Sequence, residues 1–72
     1  MQNRIVERLL PTRDAAKILG VSTGWLERKR WEGLPPSYVR VGGPTGRAVR
    51  YRETDLLAYI EENVVAGTAK WR

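Results

Sequence analysis

Hydrogen-bonding side chains are concentrated in one short stretch of this 72-residue sequence. A guanidinium such as that of Arg28 can donate two parallel hydrogen bonds to guanine, and the adjacent Glu27 can either accept from N4 of cytosine or orient the arginine. Ser22 and Thr23 lie where hydroxyl groups and the free amides of a helix N-terminus can reach a phosphate. The stretch therefore offers the chemistry of reading a nucleic acid.

Two cations, Lys29 and Arg30, follow on the same predicted helix. We expect them to meet phosphates or neighbouring acids, which adds affinity without sequence information. Because Leu26 is predicted to point into the core, four residues of the helix fall largely on the opposite side and are predicted to face the groove: Thr23, Gly24, Glu27 and Arg28. The predicted recognition surface comprises Ser22, Thr23, Gly24, Glu27, Arg28, Lys29 and Arg30.

The elements that must position this surface are two helices joined by a tight turn. Ser22 is the predicted N-cap of the second helix, which we place from about Thr23 to Trp31. The first helix is predicted to be capped by Thr12 and to end at Gly20. The buried anchor Leu26 is the sixth residue after that glycine, and this is helix-turn-helix spacing.

An alternating pattern beyond the second helix predicts a β-hairpin, or wing. Residues 32–36 end the helix and impose an extended exit, and strands at 38–41 and 48–52 flank a turn-rich tip at 42–46. Val49 and Tyr51 share the predicted inner face, which leaves Arg50 and Arg52 outside. The domain is thus predicted to be a small α+β winged helix-turn-helix with a two-stranded wing.

The wing is the second predicted binding surface, and its residues are Thr45, Arg47 and Arg50. Arg47 ends the tip, where an arginine can enter a narrow, electronegative minor groove rich in A·T pairs. The alternative for this residue is a solvated loop charge. From residue 40 to residue 52 there are four arginines and no acid, whereas from residue 53 to residue 62 there are four acids and no base. One part of the fold is therefore expected to face phosphate and another is not.

A third helix, predicted from about Thr54 to Asn63, closes the core. Its predicted apolar stripe consists of Leu56, Leu57, Tyr59, Ile60 and Val64. Both tryptophans of the second helix are predicted to cover the core, with Trp31 sealing that helix against the wing. The folded domain is predicted to span residues 1–64 and to be followed by a flexible basic tail at 65–72, in which Lys70-Trp71-Arg72 could reach a partner.

Composition narrows the function classes. The net charge is +5 and the isoelectric point is near 10.2, which favours a polyanionic partner. The sequence contains no cysteine and no histidine, so thiolate and imidazole chemistry and the usual zinc ligands are excluded. We expect no enzyme, no cofactor, no metal, no small-molecule ligand and no membrane segment, and we expect a cytoplasmic protein.

The order of these elements also carries a resemblance. The segment 9–62 resembles the excisionase and AlpA-like group of phage and mobile-element proteins, related in fold to the DNA-binding head of the MerR regulators. The matching pieces are Leu10-Pro11-Thr12, residues 16–26, Gly33-Leu34-Pro35-Pro36-Ser37-Tyr38-Val39-Arg40-Val41-Gly42, Val49-Arg50-Tyr51-Arg52 and Asp55-Leu56-Leu57-Ala58-Tyr59-Ile60. The resemblance implies duplex DNA binding, with the second helix in the major groove and the wing beside it.

Three functions remain open from the sequence. The first is an excisionase, or recombination directionality factor, which bends attachment-site DNA, works with an integrase and associates cooperatively with copies of itself on DNA. The second is a transcriptional regulator that uses the same surface. The third is a protein-interaction module whose basic face binds an acidic partner. The short chain, in which we expect no effector or dimerisation domain, tilts the expectation toward the excisionase.

Overall fold

Three helices pack on a three-stranded antiparallel sheet in the structure, a computed structural model that describes residues 7–66. The elements are, in chain order, β1 (Leu9–Pro11), α1 (Thr12–Leu19), α2 (Thr23–Glu32), β2 (Val39–Val41), β3 (Ala48–Arg52) and α3 (Glu53–Glu62). This arrangement confirms the predicted small α+β, winged helix-turn-helix fold.

The turn between α1 and α2 is formed by two helix caps that the sequence predicts. Gly20 ends α1 in the left-handed conformation, with φ of 71°, which a residue without a Cβ adopts at little cost. The N–H of Val21 then donates to the carbonyl of Ala16 over 3.0 Å. Ser22 is the N-cap residue of α2, and its Oγ accepts from the N–H of Trp25 over 3.0 Å. The two caps fix the angle at which α2 leaves the turn.

The predicted cap of α1 is wrong. Pro11, not Thr12, is the N-cap residue, and it makes no side-chain capping hydrogen bond. The physical reason is that β1 runs up to Pro11, which pairs with Arg50 in the sheet, so that the chain turns directly from strand to helix. Thr12 is the first residue of α1, and its Oγ1 instead accepts a hydrogen bond from Arg30.

The sheet has one strand more than the predicted hairpin. The strand order is β1-β3-β2, and the hairpin pairs Val39 with Arg50 and Val41 with Ala48. β1 adds to the other side of β3, where Leu10 lies opposite Tyr51. Three residues are too few to display an alternating pattern, so the sequence does not signal this strand. Its addition makes β3 the central strand and brings the start of α1 against the sheet.

The core that residues 7–66 form is small and consists of six buried residues. They are Leu10, Ala15, Ala16, Leu26, Tyr51 and Leu56. The largest fully buried side chains come from α2, β3 and α3, one from each element. The two alanines of α1 are short, and this allows α1 to lie close to both of the other helices. Every element except β2 thus contributes to one cluster.

The predicted stripe on α3 is too wide. Leu56 is fully buried and Tyr59 is half-buried, but Leu57 and Val64 are 54% and 65% exposed, and Ile60 is 36% exposed. The helix contacts the sheet and α1 along one narrow line, because a domain of this size lacks a further layer that could cover the flanking positions.

The predicted packing of Trp31 is also wrong, whereas that of Trp25 is confirmed. Trp25 is half-buried against the core, but Trp31 is 88% exposed. The side chains that lie against the buried Tyr51 here are instead Tyr38, whose ring centroid is 6.2 Å from that of Tyr51, and Arg30, whose guanidinium also approaches the Tyr38 ring. Trp31 therefore has no core surface to cover.

Replacing Leu26 by alanine should lower the free energy of unfolding by about 2 to 5 kcal/mol, because the change leaves a cavity where α2 meets the core. Chemical denaturation followed by circular dichroism measures the loss. Leu57→Ala is the matched control: it removes the same atoms from a side chain that is 54% exposed and should cost less than about 1 kcal/mol. Equal losses for the two variants would contradict the assigned inner face of α2.

Candidate nucleic-acid interface

One face of α2 is open along its length. Thr23, Gly24, Glu27 and Arg28 are all exposed, and Leu26 on the opposite side is fully buried. The structure thus brings these four predicted residues together on one surface. Ser22 lies at the start of the same face, and its hydroxyl can still donate a hydrogen bond while its oxygen caps the helix.

The carboxylate nearest to Arg28 is that of Glu32, one helical turn further on. The Nε of Arg28 lies 3.7 Å from Oε2 of Glu32, and 73% of the arginine side chain is exposed. Of the two roles that the sequence allows for Glu27, orientation of Arg28 is therefore taken by Glu32. An exposed pair of this kind contributes little to stability, so Arg28 can exchange its partner for a ligand.

Arg30 is directed into the fold. Its Nη1 donates to the hydroxyl of Tyr51 over 2.8 Å and to Oγ1 of Thr12 over 3.2 Å. The guanidinium carbon also lies 5.8 Å from the ring centroid of Tyr38, within the range of a cation–π interaction. This single side chain therefore connects α2 to α1 and to the central strand.

Lys29 lies on the flank of α2 rather than on its open face. Its Nζ is 4.9 Å from the ring centroid of Trp25. The helix continues through this lysine without a break and ends at Gly33. Lys29 and Arg30 therefore lie beside the open face of α2 and not on it, and each already has an aromatic partner in the fold.

The wing presents a compact tip. Thr45 and Arg47 are exposed there. The N–H of Gly46 donates to the carbonyl of Gly43 over 2.8 Å, and a Cβ at Gly46 would collide with the carbonyl of Val41. Only glycine therefore fits at position 46, and its close contact with Val41 fixes the position of the backbone just before Arg47.

The other wing arginines differ in what they contact. Arg40 donates through Nη1 to the carbonyl of Gly46 over 3.3 Å, and Arg50 is half-buried with Nη1 on the carbonyl of Val49 at 2.8 Å. Among residues 7–66, neither of them nor Arg47 forms an ion pair with a carboxylate. Their positive charges are therefore available to an anion outside the domain.

Arg52 is the exception among the four arginines of this segment. Its Nε and Nη2 donate to the two carboxylate oxygens of Asp55 over 2.8 and 2.9 Å. These hydrogen bonds, together with the negative charge of Asp55, raise the pKa of Arg52 above its ordinary value. The charge of Arg52 is thus locally balanced. The separation of bases from acids in the sequence is less complete in the folded domain, because the first turn of α3 follows β3 directly.

A helix-turn-helix with one polar helix face open, beside a basic β-hairpin, defines a class of DNA-binding domain. A family model described as a helix-turn-helix domain matches residues 9–64, and the chain belongs to this family. DNA binding is the activity that membership implies. No match to a curated protein or to a solved structure was found.

Two further observations concern residues 7–66. No helix in this range has both the length and the apolar character needed to cross a membrane. No group of three or more histidine, cysteine, aspartate or glutamate residues in the same range is placed to hold a metal ion. The predicted contact segment Lys70-Trp71-Arg72 lies outside the described residues.

Proposed function

We propose that the protein recognises specific sequences in duplex DNA, with α2 in the major groove. The observation that supports this most strongly is the opposition on α2 of a fully buried Leu26 and an exposed pair, Glu27 and Arg28. Burial of the leucine fixes the rotation of the helix about its axis, and the pair is then held outward. The acceptor and the bidentate donor can read cytosine and guanine edges.

Phosphate contacts set the register of the complex in this proposal. The N-terminus of α2, with the hydroxyls of Ser22 and Thr23, faces one strand of the duplex. In the wing, Thr45 and Arg50 contact the backbone, and Arg47 enters the adjacent minor groove. Lys29 and Arg30 contribute positive potential from the flank of α2, with Arg30 also holding that helix on the sheet.

The biological role that we propose is that of an excisionase, which shapes attachment-site DNA so that an integrase acts in the direction of excision. The resemblance of residues 9–62 to that group supports this role. So does the wing tip, which carries Arg47 and is held in one conformation by the contacts of Gly46. Several copies side by side would extend the site, and the segment around Lys70-Trp71-Arg72 would contact a neighbouring copy or the integrase. A transcriptional regulator would use the same surface but does not require bent DNA.

Binding to duplex DNA should weaken steeply as salt is added. If four to six phosphates are neutralised, the logarithm of the association constant should fall against the logarithm of salt concentration with a slope of about −4 to −5, because each contact contributes roughly −0.9. Fluorescence anisotropy of a labelled duplex at several salt concentrations measures the slope. A flat profile, or no binding to any duplex, would contradict DNA binding through this basic surface.

Substituting Arg28 by alanine should cost about 1 to 3 kcal/mol of binding free energy on a selected DNA site, and less on random duplex, because a base contact is lost. The comparison is made by anisotropy on both DNAs at one salt concentration. A loss of equal size on both would assign Arg28 to the phosphate backbone.

Arg8→Ala is the matched control for that variant. It removes the same charge from a side chain that is 65% exposed and pairs with Glu53 at the start of α3. Arg8 lies next to β1, at the edge of the sheet opposite β2. We expect it to bind the selected site nearly as well as the parent. If it weakens binding as much as Arg28→Ala, net charge rather than a defined helix face determines affinity.

Replacing Arg47 by alanine should reduce DNA binding and DNA bending together. Bending a site of about 20 to 30 base pairs costs roughly 1 to 6 kcal/mol, which additional contacts from the wing must offset. Circular-permutation gel shifts measure the bend, and titrations on single and tandem sites measure cooperativity. Non-cooperative binding of the parent protein to unbent DNA would contradict the excisionase role and favour the regulator.

A further inference from the structure

Trp31 is 88% exposed, more than any other large hydrophobic side chain among residues 7–66. A tryptophan normally buries much of its large surface. Here the indole is held on the last turns of α2, whose bounds are fixed by caps at Ser22 and Gly33. The fold thus presents this ring to solvent from a regular helix rather than from a loose loop.

The position of Trp31 on α2 relates it to the recognition surface. It lies four residues after Glu27 and three after Arg28, the spacings at which helical side chains are neighbours. All three residues are exposed. The open face of α2 therefore continues from a polar part into an apolar ring.

An open cleft of about 380 Å³ lies beside this ring, between α2 and the wing. Its lining residues are Glu27, Arg30, Trp31, Tyr38 and Arg40. Two guanidinium groups and one carboxylate give the cleft a positive balance. Both guanidinium carbons lie within 6 Å of the Tyr38 ring centroid, at 5.8 and 5.9 Å, so the cations are held in place. The positive charge of the cleft favours a polyanion. Because the cleft lies beside the open face of α2, a ligand bound to that face would also reach the cleft.

We propose that Trp31 is a specificity-determining residue that packs its indole against the C5-methyl group of a thymine in the major groove. The inference rests on the proposed insertion of α2 into that groove. Among the four bases, only thymine presents a methyl group at the major-groove edge, where the other groups are polar donors and acceptors. The indole of Trp31 lies on the same face of α2 as the base-reading pair Glu27 and Arg28, so the thymine methyl is the apolar group that it can contact. Arg40, at the wall of the cleft, meets the neighbouring phosphate.

The test begins with duplexes that the parent protein selects from a random-sequence library. Each thymine of the selected site is then replaced, one at a time, by deoxyuridine, which lacks only the methyl group. At one position the parent should lose about fourfold in affinity, which corresponds to roughly 0.8 kcal/mol for one buried methyl at 1.4 kcal/mol per tenfold change. Trp31→Ala should bind the thymine and uracil duplexes equally, and about tenfold to thirtyfold more weakly than the parent binds its site.

Trp31→Phe and Leu57→Ala provide the controls. The phenylalanine variant keeps an aromatic ring and should retain part of the sensitivity to the methyl group. Leu57→Ala removes an exposed apolar side chain of α3 and should show the full fourfold effect. Thermal melting of Trp31→Ala should match that of the parent, because the indole makes so little contact with the domain.

Each other outcome is informative. An equal uracil penalty in the parent and in Trp31→Ala, or no penalty at any position, would overturn the assignment of Trp31 while leaving the proposed DNA binding intact. If Trp31→Ala differs from the parent in sedimentation velocity but selects the same DNA sites, the ring makes contacts between copies of the chain. That result would also overturn the assignment of Trp31 to thymine. If the parent enriches no sequence at all, the proposed function itself fails.

Discussion

Burial of Leu26 among the alanines of α1 and the large side chains of β3 and α3 is the constraint on which the rest of the structure depends. Among residues 7–66 the domain has one cluster of six buried residues. α2 contributes Leu26 to this cluster, and Trp25 packs half-buried against it. Leu26 sets the rotation of α2 about its axis, and further contacts hold the helix in that orientation. Arg30 supplies them through Tyr51 and Thr12, so that a buried apolar contact and a polar one together determine which side of α2 faces outward.

Much of this arrangement is encoded locally and is therefore predictable from sequence. Gly20 and Ser22 specify the turn through backbone conformation and capping, and the alternation around Tyr51 specifies the hairpin. The features that the sequence does not reveal depend on contacts between distant segments. β1 is recognisable only from its pairing with β3, and Trp31 is exposed because Tyr38, and not the indole, lies against Tyr51. The open face of α2 was predictable because it requires only a helix and one buried position.

The arginines show why residue type alone does not assign a role. Arg52 is neutralised by Asp55, Arg30 is turned toward Tyr51, and Arg47 is carried outward on the wing tip. A count of positive charges between residues 40 and 52 treats the members of that run alike, yet their electrostatic environments differ. Arg52 differs from the other arginines of the run because α3, which carries Asp55, begins immediately after β3. This is a property of the topology and not of the composition.

The division of α2 into a buried anchor and an open face also has a consequence for how such a domain can diversify. Exposed positions away from caps and cores usually change stability by less than about 0.5 kcal/mol when substituted, and Glu27, Arg28 and Trp31 are positions of this kind. A domain with so few buried residues tolerates little loss of stability. Here the residues that face outward and those that maintain the fold are different residues on the same helix. With α2 in the proposed role, successive changes to the open face alter the DNA sequence that is recognised while each intermediate remains folded.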